Sequence, residues 1–279
     1  MLLGAALIIL CAAAYTALGG SDSQSATPAV TTIPETAQPV LTTESSAATA
    51  GTSTSSSANI AATTSGAEAS ATIVAPADAT FEVVTPIPTV VRTSMADKSM
   101  KKGCPIGFNG LALLHLTYLG FDGASHVGDL IVAKRYASEV RDIFQKLYTM
   151  QYPIQEMQLI DQYRSDKGEW ADDSTSIEHN NTSAFNCRAI TGGTDFSKHS
   201  YGIAIDINPI QNPYVLNGAS SHAASKPFLD RTAAPTPPAR RAVLVGGDAV
   251  VQLFSEQGWK WGGSWGNPID YQHFSKGGG

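Results

Sequence analysis

The first 91 residues of this 279-residue chain contain no lysine and no arginine, and that limits where a fold can form. Their only charges are six acids, Asp22, Glu35, Glu44, Glu68, Asp78 and Glu82. All 18 basic residues lie beyond, together with an equal number of acids, so the formal net charge of −6 belongs to the N-terminal third. From Gly20 to about Thr80 the chain is mostly Ser, Thr, Ala, Gly and Pro. Such a composition cannot bury enough apolar surface to offset the entropy of ordering it. Residues 20–94 are therefore expected to form a disordered linker, extended near Pro86 and Pro88. Residues 95–279 are expected to form the folded domain, long enough for one substantial core. The short apolar stretch Phe81–Val84 reads either as a sticky patch or as an early strand.

Ahead of the linker, residues 1–19 are almost wholly apolar (Leu2 to Gly19), with small residues Ala17 and Gly19 before Gly20. The run suits a cleaved export signal or a retained membrane anchor, although no basic residue precedes it. Either way the domain is expected outside the cytoplasm, with the membrane touched only by this segment. A flexible linker of about 75 residues has an r.m.s. span of roughly 45–50 Å. That fits a spacer crossing a thick wall as well as it fits a featureless connection. The neutral domain argues against nucleic acid as a partner, since phosphate binding needs a basic face. With one long apolar run, a multispanning membrane protein is excluded too.

Within 95–279 the patterns alternate between types. Asp129–Val132 reads as a strand. Residues 133–150 carry a helical apolar stripe at Tyr136, Val140, Ile143, Phe144 and Leu147, ended before Pro153. Glu156–Tyr163 and Gly202–Ile207 read as strands, and Asp248 as the N-cap of a helix over Ala249–Gln257 closed by Gly258. Trp259–Trp261 and Tyr271–Phe274 read as short strands. The class is α+β, with a small antiparallel sheet flanked by helices. Cys104 and Cys187 are the two cysteines outside the leader and could pair in an oxidising exterior. Asn180 and Asn181 match a glycosylation acceptor. The segment Asn217–Arg241, rich in Ala, Pro and Ser, reads as a long loop bordering a substrate groove. Asp172 and Asp173 read as a solvated face. His115, His126, His179 and His222 sit in no motif and read as surface or core. Trp259, Trp261 and Trp265 read as core packing rather than as groove walls.

Three short segments carry chemistry. S-K-H-S-Y-G-I-A-I-D at 197–206 brings His199 and Asp206 within reach of one point if the chain turns at Gly202. D-Y-Q-H at 270–273 adds Asp270 and His273, provided the chain bends between them. Arg188 closes N-N-T-S-A-F-N-C-R. Two histidines and one aspartate suit zinc with a fourth position open for water. A second carboxylate would serve as general base and a cation would meet the developing oxyanion. A lone histidine is more often a structural residue, so spacing alone leaves this open.

The segment S-x-H-x-x-G-x-A-x-D, continued as I-N-P-I-Q-N-P-Y at 207–214, resembles the VanY-type zinc D-alanyl-D-alanine carboxypeptidases and L-alanyl-D-glutamate peptidases. The upstream 180–188 segment and the closing W-G-G-S-W-G-N-P-I-D-Y-Q-H-F at 261–274 resemble the same family, in the same order. The resemblance covers roughly Cys104 to Phe274. It implies an α+β zinc-peptidase domain, a bound Zn2+, and hydrolysis of peptidoglycan stem peptides; the chain is expected to be a monomer. It further implies His199, Asp206 and His273 as metal ligands, Asp270 as catalytic carboxylate, Arg188 as substrate- and transition-state-binding cation, and Ser197 as a substrate contact. Many relatives carry an acid after H-F, where this chain has Ser275. The same catalytic residues serve either bond, and the N-P-x-x-N-P-Y and W-G-G elements lean towards the endopeptidases. Two other readings stand beside this one: a non-catalytic module that binds the cell wall, and a stalk or adhesin whose tether carries the function.

Overall fold

The computed structural model describes residues 78–232 and 239–277. The expected leader and the expected linker up to residue 77 lie outside the described residues. In chain order the elements are β1 (Phe81–Val84), α1 (Thr89–Met95), β2 (Leu111–Leu119), β3 (Ser125–Ala133), α2 (Ala137–Thr149), α3 (Asp173–Glu178), β4 (Ala204–Asp206), β5 (Tyr214–Val215), α4 (Ala249–Glu256), β6 (Trp259–Trp261), β7 (Ile269–Asp270) and β8 (His273–Lys276). Three sheets result, ordered β1-β2-β3, β4-β8-β6 and β5-β7, and each ladder is antiparallel. The α+β class is what the sequence implies.

The boundary at residue 94/95 needs correction. β1 and α1 fall inside the expected linker yet belong to the fold. β1 pairs with β2 from Phe81↔Leu116 to Val84↔Leu113, and Ile87 and Met95 are buried. Phe81–Val84 is thus a strand. A linker-like composition averaged over some 75 residues hides a 15-residue stretch with its own apolar pattern. The sequence reading likewise assigns nothing to β2, L-A-L-L-H-L-T-Y-L. Its near-continuous apolar run is the mark of a strand covered on both faces. Ala112, Leu114, Leu116 and Tyr118 join the core under α2, whereas Leu111 and Leu113 pack with Ile87, Met95, Ile131, Phe185 and Cys187.

The expected helix starts later than residue 133, because Lys134–Tyr136 form a 3-10 turn before α2. Its buried stripe is Val140, Ile143, Phe144 and Leu147. It ends where Gln151 adopts a left-handed φ of 55° and Tyr152 N–H bonds the Leu147 carbonyl, a Schellman-type stop. At the other end of the domain, the Asp248 side chain accepts from Val251 N–H and caps α4 as expected. Phe254 of α4 stacks on Phe274 of β8 at 4.0 Å between ring centroids, and Lys276 Nζ meets Glu139 of α2 at 2.6 Å. These contacts fix β8 against both helices.

Glu156–Tyr163 is not a strand. Its alternation imitates one, but side-chain amides supply the backbone partners that a neighbouring strand would. Asn181 accepts from Gln158 N–H at 2.8 Å and donates to the Gln158 carbonyl at 3.1 Å. Asn208 does the same for Gln155 N–H and the Pro153 carbonyl, at 3.0 and 2.8 Å. Asp161 is buried on Ser99 N–H and Oγ, both at 2.9 Å, and residues 160–162 coil into a 3-10 turn. Asn180 and Asn181 are buried, which removes them as glycosylation acceptors.

Cys104 and Cys187 form a disulfide, with Cα atoms 5.9 Å apart. The bond joins residues 83 positions apart. Chain entropy assigns a loop of that length about 4–5 kcal/mol. Urea unfolding with and without reductant should show a loss approaching that value, and Cys104→Ser/Cys187→Ser should reproduce the reduced curve.

Candidate metal centre and groove

The local fold around His199 depends on one glycine. Ser197 Oγ accepts from His199 N–H at 3.3 Å and starts a 3-10 turn over Lys198–Tyr201. Gly202 ends it at φ 64°, and a Cβ there would stand 2.5 Å from the backbone nitrogen of Ala133. An L side chain would be strained by the dihedral and blocked by β3. This is the turn the sequence requires, and it sends the chain into β4. There the register sets Asp206 directly opposite His273 of β8. Asp206 is held from its other side by a two-way backbone pairing with Ser183, at 3.0 and 2.9 Å. The bend between Asp270 and His273 also forms, as β7 ends at Asp270 and β8 begins at His273.

Three donor atoms converge. His199 Nε2 lies 3.2 Å from Asp206 Oδ2 and 3.3 Å from His273 Nδ1, and His273 Nδ1 lies 3.0 Å from Asp206 Oδ1. His199 Nδ1 sits 2.5 Å from the Ala184 carbonyl, which can only accept, so Nδ1 carries a proton and Nε2 is the nitrogen turned towards the trio. The residues are buried at 3%, 9% and 6% exposure. Ligands about 2.0–2.2 Å from a tetrahedral ion stand roughly 3.3–3.5 Å from one another. The observed separations approach that spacing, and His199, Asp206 and His273 can hold a metal ion. Burial alone would lower the His199 pKa, but the Asp206 carboxylate outweighs it and raises it. Burial alone would raise Asp206, and the two imidazoles overcome it and hold the carboxyl far below its ordinary range.

These residues open on a groove of about 500 Å³. Asp270 lines it, buried, with Oδ1 bonded to nothing in the protein. Burial first, and the Asp206 carboxylate second, push its pKa up to about 7, against the pull of His273 and Arg188. Gly262 lets β7 and β8 approach, since a Cβ there would stand 2.6 Å from the Asp270 carbonyl oxygen. Arg188 also lines the groove, its Nε paired with the Asp173 carboxylate. Its backbone N–H bonds Ser200 Oγ at 2.9 Å, and the neighbouring Cys187 is tied by the disulfide. Ser197 lines the same groove.

All six residues singled out in the sequence thus meet at one groove, and three more join them. Asp173 is no solvated face: besides Arg188 it accepts from Asn186 Nδ2 at 2.9 Å, while Asp172 caps α3 through Thr175 N–H. His222 lines the groove, whereas His115, His126 and His179 pair with Asp129, Asp122 and Glu156 elsewhere. Trp259 and Trp261 are core residues as expected, but Trp265 faces the groove, its ring 5.4 Å from that of His273. No local pattern marks Asp173 or His222, because each acts through a partner distant in sequence. Ser275 is fully buried in the middle of the β4-β8-β6 sheet and is no ligand.

Residues 191–276 match the family model Peptidase_M15_4, described as D-alanyl-D-alanine carboxypeptidase. The match bears out the family resemblance carried by the motifs and spans His199, Asp206, Asp270 and His273. No curated protein and no solved structure matches the chain.

Stripped with chelator and titrated with zinc, the full chain should bind one equivalent. His273→Ala and Asp206→Asn should each weaken binding by at least about 100-fold, read by calorimetry, since each removes one of three protein ligands.

Proposed function

We propose that the protein is an exported zinc peptidase that hydrolyses a peptide bond in peptidoglycan stems, L-Ala–D-Glu or D-Ala–D-Ala. The observation that carries this reading is the convergence of His199 Nε2, the Asp206 carboxylate and His273 Nδ1 within 3.0–3.3 Å, beside the buried Asp270, whose Oδ1 has no partner in the protein. A zinc ion there supplies Lewis acidity, lowering the pKa of a water and polarising a carbonyl. The mixed nitrogen and oxygen donor set favours zinc over metals that prefer all-oxygen or thiolate surroundings.

The chain's own groups supply the remaining parts. His199 and His273 offer neutral nitrogen lone pairs and Asp206 the compensating negative charge. Asp270, with a pKa pushed to about 7, is poised to take a proton from water and return it to the leaving amine. A cation held by His199, Asp206 and His273 would add a pull in the opposite direction, favouring the ionised carboxylate. Arg188 presents a fixed positive charge where negative charge develops on the carbonyl oxygen. Asp173 holds that guanidinium in place, and Ser197 offers a contact to the substrate. Export is supported by the apolar leader and by a disulfide suited to an oxidising exterior.

The test is digestion of purified muropeptides by the zinc-loaded full chain, with products weighed by mass spectrometry. Release of D-Ala marks the carboxypeptidase, and a free D-Glu amine marks the endopeptidase. Intact muropeptides after exhaustive incubation would overturn the reading. Asp270→Asn should cut kcat by at least about 100-fold while zinc content is retained. In the wild type kcat/KM should fall as pH drops through the Asp270 pKa, because the protonated carboxyl cannot accept a proton. The residual activity of Asp270→Asn should lack that limb. Asp173→Asn should lower kcat/KM by about 10-fold through a loosened Arg188, leaving zinc affinity unchanged.

A further inference from the structure

The groove has one wall that the motifs do not account for. After β5 the chain reverses in a two-residue turn, with Asn217 at φ 51° and Gly218 at φ 78°, between Leu216 and Ala219, which exchange backbone hydrogen bonds. Asn217 and Asn267 lock this turn through reciprocal bonds, Asn217 N–H to Asn267 Oδ1 at 3.0 Å and Asn267 Nδ2 to Asn217 Oδ1 at 2.8 Å. The following segment is anchored again at Phe228, which is buried and whose carbonyl accepts from Arg231 at 3.0 Å. Arg231 in turn bonds Asn212 and the Leu244 carbonyl, each at 2.7 Å. Between these two anchors runs a strap. Its residues Ser220, Ser221 and His222 line the groove. His222 Nε2 lies 3.2 Å from Ser174 Oγ on α3, next to the Asp173 that grips Arg188, while His222 Nδ1 lies 3.1 Å from Ser221 Oγ.

We infer that the Ser174–His222 contact is a crossbar that closes the groove at its Arg188 end and makes it a specificity determinant. The inference rests on the peptidase reading of the same site. Both ring nitrogens of His222 are engaged within the protein, which fixes the orientation of the ring. With one end barred, a peptide can run out of the groove in a single direction from the scissile bond. A chain extended the other way must displace the strap. Neither Ser174 nor His222 bonds a metal ligand or Asp270, so opening the crossbar leaves the trio and Asp270 in place.

Three synthetic stem peptides test this: a minimal one flanking the scissile bond, one extended towards its N-terminus and one towards its C-terminus. The wild-type full chain should cleave the minimal peptide and lose at least about 10-fold in kcat/KM on one of the two extensions. Ser174→Ala/His222→Ala should cut that penalty, the ratio of kcat/KM between the minimal and the extended peptide, below about threefold with zinc affinity unchanged. The single variant Ser174→Ala, which removes only a surface hydroxyl, should move the ratio in the same direction. Equal tolerance of both extensions by the wild type, or a penalty untouched in both variants, would overturn the crossbar while leaving the peptidase intact. Failure of the wild type to cleave even the minimal peptide would instead overturn the peptidase reading.

Discussion

A carboxylate buried between two imidazoles is the constraint on which the rest of this domain depends. Asp206 at 9% exposure would be costly as an isolated anion. It is tolerable because His199 and His273 face it within about 3 Å, and that arrangement demands three separate chain segments at fixed positions. The β4–β8 register sets the first pair opposite one another. The left-handed turn at Gly202 returns the third ligand to the same point. Phe274, next to His273 on β8, drives its ring into the core against Phe254 and so keeps His273 turned the other way. Core packing and site geometry are therefore two consequences of one strand's alternation.

The irregular half of the domain is held by amide side chains more than by ladders. Asn181 and Asn208 each satisfy both a donor and an acceptor of a backbone that touches β2 and β3 at only single points. Asn212 donates to the Ile207 and Ala242 carbonyls and accepts from Leu244 N–H and Arg231. Each uses the oxygen and the nitrogen of one amide. An isosteric aspartate would bury a charge and forfeit the donor. This explains why the motifs around the site are rich in asparagine without those asparagines touching the metal ligands.

Legibility followed locality. His199, Asp206, Asp270 and His273 stand in short segments whose chemistry can be read over ten residues, and the two capped or stop-signalled helices were readable for the same reason. Glu156–Tyr163 misled because alternation reports burial on one side and not the identity of the hydrogen-bond partner. β1 and α1 were lost in the average of a long low-complexity stretch, and β2 because a double-sided strand has no period. Asp173 and His222 gained their places through partners 15 and 48 positions away, a distance at which no sequence pattern operates. Trp265 differs from Trp259 and Trp261 only in which side of a three-residue turn it occupies.

The disulfide and the buried amides have one more consequence. Together they brace the segment that ends at Arg188 and the shoulders of the trio by bonds in which no ion takes part. The shape of the receptacle is thus set by the chain's own covalent and hydrogen bonds.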